Sequence, residues 1–192
     1  MSFPPIYTAR SRALILGTWP SPKSRAMAFY YGHPQNRFWP LMAALTGEPV
    51  PDTADVAAKT RLIGVDPAVI AQYNVVSGPV AAQMAAGAQA ASGADLAVAV
   101  TGVAGPTGGD EVRPVGTVYI AAVYQGRVHV RHMLALHADR EGVRQRAAQT
   151  ALELLWRLAC GRQPAGCRVL PLENVRQPQA LAALDAACRA AL

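Results

Sequence analysis

The stretch from Ala97 to Tyr124, AVAVTGVAGPTGGDEVRPVGTVYIAAVY, constrains the fold more than any other part of the chain. It consists of two apolar runs separated by a loop that is rich in glycine and proline. Each run has the length and the β-branched content of a buried strand. Glycines in the loop allow the backbone to approach a ligand without obstruction by side chains. The sequence therefore predicts a strand–loop–strand unit, and the loop is the first place to look for a small molecule if the protein binds one.

The segments around this unit predict alternating helices and strands. Asp66, Ser77 and Asp139 are placed as helix N-caps, Gly93 as a helix stop, and Gln125-Gly126 as a hairpin turn. We expect strands over 12–16, 96–100, 116–124, 127–136 and 167–172. We expect helices from 36, over 55–63, from 67, over 78–91 and 139–160, and from 178.

Composition limits the class of protein further. The 192 residues, 52% of them hydrophobic and 16% charged, suffice for one domain, or for one domain and a fragment. The N-terminus has no apolar signal region, and no apolar run reaches the roughly 18 residues of a membrane span, so we expect a cytoplasmic protein without membrane contact. Three cysteines without a CxxC pair, and histidines without ligand spacing, predict neither a disulfide framework nor a metal site. No cofactor is predicted.

The segment from residue 57 to 160 resembles the C-terminal domain of CinA, the competence/damage-inducible protein, a family that includes the nicotinamide-nucleotide amidases. The family pattern S/T-G-I/V-A-G-P-x-G-G, followed by K/R-P-V-G-T-V, is matched from Thr101 to Val118. A G-D-R-x-x-V/I-R helix start is matched by Ala138 to Arg144, with alanine in place of the glycine. Two ordered blocks with the correct intervening helix make this resemblance specific.

The resemblance implies a three-layer α/β/α sandwich that hydrolyses the carboxamide of nicotinamide mononucleotide to nicotinic acid mononucleotide and ammonia. Loop N–H groups are expected to meet phosphate or ribose, and two arginines to add positive charge. The expected substrate-binding residues are Thr101, Gly102, Gly105, Gly108, Gly109, Arg113 and Arg140. A wide turn without a ligand is the alternative for the glycines. Arginines at 140, 144 and 146, near a helix start, indicate either an anionic ligand or solvated side chains.

The catalytic residues match the family only in part. The family serine lies in an A-E-S-C-T-G-G-like stretch, which does not occur in this chain, and the family tyrosine aligns with Ala54. The family lysine aligns with Lys59, which is the candidate catalytic residue of the amidase interpretation. A serine needs an activating base to attack an amide, and Ser21 or Ser24, beside Lys23, is a substitute outside the family pattern.

Residues 3–52 resemble the start of the uracil-DNA-glycosylase-like proteins that excise hypoxanthine or uracil, an unrelated α/β family. The resemblance rests on LILGTWPSPKS and on FYYGHPQNRFW, whose H-P-x-N-x-F-W motif makes Asn36 the proposed catalytic residue. The segment holds eight of the twelve aromatic residues, a composition that suits stacking of an extruded base. The late serine-rich DNA-gripping motif of those proteins is not found downstream.

We therefore expect three parts: a glycosylase-like strand–loop–helix segment over 1–52, a CinA-like domain over 53–162, and a tail with a final helix over 163–192. The first functional hypothesis is binding, and if active hydrolysis, of nicotinamide mononucleotide by the CinA-like domain. The second is a DNA glycosylase, the only interpretation in which DNA is a partner. The third is a non-catalytic fusion of two partial domains. The CinA resemblance also implies possible homo-oligomers.

Overall fold

The structure, a computed structural model, describes residues 13–17 and 64–190. One five-stranded sheet connects the described residues, with the strand order β1-β2-β3-β4-β5. The first pair of strands is parallel, and every other neighbouring pair is antiparallel. The strands are β1 (Ala13–Gly17), β2 (Leu96–Gly102), β3 (Thr117–Tyr124), β4 (Arg127–Leu134) and β5 (Cys167–Pro171).

Four α-helices accompany the sheet in the described residues. They are α1 (Pro67–Tyr73), α2 (Gly78–Ser92), α3 (Arg140–Ala159) and α4 (Pro178–Arg189), and a single 3₁₀ turn spans Leu172–Asn174. The side chains of Asp66, Ser77 and Asp139 each accept a hydrogen bond from an amide in the first turn of their helix. Gly93 ends α2 in the left-handed conformation. The predicted helix starts and stops are confirmed, because cap chemistry is local and visible in the sequence.

The helices cover both faces of the sheet, which confirms the three-layer sandwich. Alternate residues of β2 and β3 point to opposite faces, as the pleat requires. On one face Val98 and Ile120 pack with Leu154 and other apolar residues of α3. On the other face the sheet packs against α1, α2 and α4, and four alanines of α2 are fully buried there, at 81, 82, 85 and 88. Because alanine is small, α2 lies close to the sheet.

The predicted tail is integrated into this sandwich. Its strand β5 pairs with β4, and its helix α4 contributes Leu181, Leu184 and Cys188 to the core that α2 also lines. The buried Gln83 of α2 accepts a hydrogen bond from the Asp66 amide and donates one to the Val175 carbonyl. This side chain thereby connects α1, α2 and the segment that leads into α4.

The sheet edges come from distant parts of the chain. Residues 13–17, which lie within the predicted N-terminal segment 1–52, pair along β2 from Leu96 to Val100. The hairpin at Gln125-Gly126, in which both residues have positive φ, confirms the predicted turn.

The predicted helices over 55–63 and from residue 36 lie outside the described residues. In the described ranges, no helix has both the length and the apolar character needed to cross a membrane.

Candidate ligand-binding site

The two ends of the glycine loop, residues 103–116 between β2 and β3, are joined by backbone hydrogen bonds. The Val103 amide donates to the Thr117 carbonyl at 2.8 Å, and the Gly116 amide donates to the Val103 carbonyl at 2.7 Å. A Cβ on Gly102 would lie 2.7 Å from the Thr117 carbonyl oxygen, and one on Gly109 would lie 2.7 Å from the Val115 nitrogen. Gly105 and Gly108 have φ values of 84° and 97°. Close packing within the loop therefore accounts for several of the glycines that the sequence assigns to a ligand.

Arg113 attaches the glycine loop to the connection between α1 and α2. Its Nε donates to the Val76 carbonyl at 3.0 Å, and its Nη2 donates to the Tyr73 carbonyl at 3.1 Å. Its Nη1 lies 3.5 Å from the Asp110 carboxylate, and its side chain is only 16% exposed. These contacts use three of the five N–H groups of the guanidinium. The predicted ligand residue thus has a structural role, and donors remain for an anion.

Two other residues that the sequence predicts to bind substrate also donate hydrogen bonds to backbone carbonyls of the protein. Thr101 is fully buried, and its hydroxyl donates to the Val75 carbonyl at 2.8 Å. Arg140, the first residue of α3, donates to the Gly105 carbonyl at 2.9 Å. Its neighbour Arg144 pairs with Glu141 at 3.0 Å. The loop is therefore held from the α1–α2 side by Arg113 and from α3 by Arg140.

A cavity of about 140 Å³ lies where the glycine loop, the start of α2 and the end of α4 meet. It is lined by Val76, Ser77, Val112, Arg113, Tyr119, Asp185 and Arg189. Ser77 caps α2, accepting from the Val80 amide at 3.3 Å and donating to the Asn74 carbonyl at 2.9 Å. The hydroxyl is therefore engaged with the backbone and contacts no base among the described residues.

The charges of the cavity come from the loop and from α4. Arg189 donates from Nε to the Asp185 carboxylate at 2.8 Å, one helical turn away. With Arg113 the lining carries two guanidinium groups and one carboxylate. Burial raises the pKa of the Tyr119 hydroxyl to about 12, and the nearby Cys188 and Asp185 act in the same direction. The phenol therefore keeps its proton near neutral pH and is able to donate a hydrogen bond.

A stacked pair of side chains supports the wall of the cavity. The Tyr119 ring lies parallel to the His132 ring, with centroids 4.4 Å apart. The His132 Nδ1 donates to the Cys188 carbonyl at 3.1 Å, since a carbonyl only accepts. Burial lowers the pKa of His132, so the ring is held neutral. His132, on β4, is thus attached to α4 by a hydrogen bond and to Tyr119 of β3 by stacking.

The model of the CinA C-terminal domain family matches residues 55–159. This range is more than half of the chain. The chain belongs to the CinA C-terminal domain family. The prediction from the two motif blocks is thereby confirmed for the family, and the matched range does not include residues 1–52.

Individual relatives agree with the family assignment. A CinA-like protein of Mycolicibacterium vanbaalenii is 46% identical over 105 residues, which are 55% of this chain and 25% of that protein. A CinA-like protein of Mycobacterium marinum is 48% identical over 100 residues, which are 52% of this chain and 24% of that protein. The chain therefore spans about a quarter of the length of the curated relatives it matches.

Solved structures support the fold. The competence damage-inducible protein A of Klebsiella pneumoniae is 28% identical with a TM-score of 0.54, covering 79% of this chain and 88% of that one. The competence/damage inducible protein CihA of Agrobacterium tumefaciens is 38% identical with a TM-score of 0.52, covering 55% and 65%. The CinA-type sandwich is therefore shared with experimentally known proteins.

The remaining sequence predictions concern the catalytic residues and metal binding. Lys59 and Asn36 lie outside the described residues, so both catalytic assignments stay predictions. Across 13–17 and 64–190, no group of three His, Cys, Asp or Glu side chains is arranged to hold a metal ion. Sequence reasoning missed Ser77, Tyr119, Asp185 and Arg189 as cavity residues. The Asp185–Arg189 spacing of four residues on one helix face was the available signal, although it only indicates a pair within a helix.

Proposed function

We propose that the CinA-like domain binds nicotinamide mononucleotide beside the glycine loop and hydrolyses its carboxamide to nicotinic acid mononucleotide and ammonia. The observation that carries the proposal is that Arg113, within the family motif, lies at the wall of a cavity with a second guanidinium group. Guanidinium groups bind phosphate oxygens through paired hydrogen bonds. A mononucleotide presents such a phosphate.

The reaction adds water across the amide: a C–O bond forms at the carbonyl carbon, the C–N bond breaks, and the nitrogen leaves as ammonia after gaining a proton. An attacking hydroxyl or water needs a base, and an amide nitrogen needs a proton donor. The family resemblance assigns the lysine of this chemistry to Lys59. Ser77 does not supply the nucleophile in its described state, because its hydrogen bonds belong to the helix cap.

The test incubates the purified chain with nicotinamide mononucleotide and measures ammonia together with nicotinic acid mononucleotide by chromatography. The chain contains two lysines, Lys23 and Lys59, which makes K59A and K23A a matched pair. We expect K59A to lower the rate at least about 100-fold, the usual contribution of a general acid–base group. A loss with K23A instead would assign the chemistry to the Ser21–Ser24 segment.

Binding and turnover are measured separately. Nucleotide that raises the melting temperature without releasing ammonia would show a binding domain without amidase activity. No melting shift and no ammonia at millimolar nucleotide would refute the proposal and favour a fusion without this function.

A further inference from the structure

We infer that the cavity between the glycine loop and α4 is a phosphate subsite, and that Arg189 determines its specificity. The inference deepens the proposed function and rests on it for the identity of the rest of the ligand. Recognition of the phosphate group itself is independent of amide hydrolysis. Arg189 and Asp185 lie outside residues 55–159, the part of the chain that matches the family.

The size of the cavity fits one group of a nucleotide. Its volume of about 140 Å³ is close to the roughly 150 Å³ of an engineered cavity in another protein that holds benzene. Pockets that enclose a whole small-molecule ligand measure about 300–1,000 Å³. The space therefore accepts a phosphate group or a single ring, and the rest of a mononucleotide would extend beyond it.

The charges favour the phosphate over the ring. Arg113 is anchored by two backbone carbonyls, so its guanidinium is fixed before a ligand arrives. Arg189 is 49% exposed and pairs with Asp185 through Nε, and a guanidinium also has an end-on pair of Nη N–H groups that suits a second anion. Two guanidinium groups around one small space suit a dianion, for which bidentate contacts are strongest.

Asp185 positions Arg189. The carboxylate is buried, and its partner is one turn further along α4, so the pair fixes the direction of the guanidinium. With two positive groups and one negative group, the lining has a net charge of +1 when Tyr119 keeps its proton. Packing of α4 is tight at this place, since a Cβ on Gly78 would lie 3.1 Å from the Cys188 sulfur. This contact fixes the position of α4 relative to the start of α2.

The test measures binding of three probes by calorimetry: nicotinamide mononucleotide, inorganic phosphate, and nicotinamide riboside, which lacks the phosphate. We expect R189Q to weaken binding of the mononucleotide and of phosphate about tenfold and to leave the riboside unchanged. The double variant D185N/R189Q removes both charges, so the result does not depend on an unpaired buried carboxylate. The control is R157Q, which breaks a similar pair with Glu153 on α3, at the opposite face of the sheet.

The outcomes separate the inference from the proposed function. If the mononucleotide binds and neither Arg189 variant changes its affinity, or if both change the riboside equally, the subsite is refuted while the proposed function stands. If phosphate binds through Arg189 but the mononucleotide does not bind, the subsite stands and the proposed function fails. If no probe binds at millimolar concentration, both are wrong.

Discussion

Replacing Arg113 distinguishes the structural role of this side chain from a role in ligand binding. Its guanidinium donates to the Tyr73 and Val76 carbonyls and is mostly buried. The variant R113M keeps much of the aliphatic stem but removes every donor. Both carbonyls then lose their partner, and the glycine loop loses its attachment to the α1–α2 connection. We expect the variant to fold less stably and to bind nucleotide more weakly.

The contacts allow an estimate of the loss. A hydrogen bond that involves a charged group contributes about 1.5–3 kcal/mol. The guanidinium is partly solvated, so the lower limit applies to each carbonyl, and the exposed Asp110 adds little. The free energy of unfolding should fall by about 3 kcal/mol, which corresponds to a melting temperature about 10 °C lower in a domain of this size. Urea titration followed by circular dichroism measures the first quantity, and a thermal scan measures the second.

Two further variants make the experiment decisive. R113K keeps the charge but reaches one carbonyl instead of two, so it should recover about half of the loss. R144M removes an arginine that is 62% exposed and pairs with Glu141, and it should change stability by less than about 0.5 kcal/mol. The reasoning is refuted if R113M unfolds at the same urea concentration as the unchanged chain. If R113M were as stable as the unchanged chain but no longer bound nucleotide, Arg113 would contribute to ligand binding and not to stability.

Three other predictions concern the core and its pH dependence. Gly102→Ala should lower the free energy of unfolding by about 2 kcal/mol or more, because the added Cβ would contact the Thr117 carbonyl. Gly93→Ala has open space around its Cβ and should lower it only by the roughly 1 kcal/mol of left-handed strain. Equal losses for the two variants in urea titrations would contradict this prediction. Tyr73→Phe should leave the melting temperature equal or higher, because the buried Tyr73 hydroxyl has no partner among the described residues. Burial lowers the pKa of His129 and His132 from the usual value near 6.5, so protonation favours the unfolded chain. The stabilising contribution should be present above about pH 6.5, the unfolded-chain value, and should be lost as the pH falls below it. A melting temperature that stays constant as the pH is lowered through this value would refute the prediction.

The sequence predicts the local elements of this fold well. Helix caps at Ser77 and Asp139 and the turn at Gln125-Gly126 depend on neighbouring residues, so their chemistry is visible along the chain. The two apolar runs around the glycine loop became β2 and β3, with β2 extending to Gly102. The motif spacing also identified the family.

Contacts between distant segments could not be read from the sequence. The structural role of Arg113 is an example, because 37 and 40 residues separate it from the carbonyls it contacts. The cavity combines Ser77, Tyr119 and Arg189, which lie on three different elements. No periodicity or spacing relates such residues, because their proximity results from how the helices pack on the sheet.

The described structure shows why the family match alone does not define the site. Residues 55–159 contain the glycine loop and Arg113, while β5 and α4 lie beyond that range. Without α4, the apolar residues of β4 that pack beneath it would lose part of their cover, and the cavity would lose one of its two guanidinium groups. The proposed ligand recognition and the packing of the core therefore depend on the same helix. Among relatives that carry a helix equivalent to α4, ligand preference should follow the residue that occupies the position of Arg189.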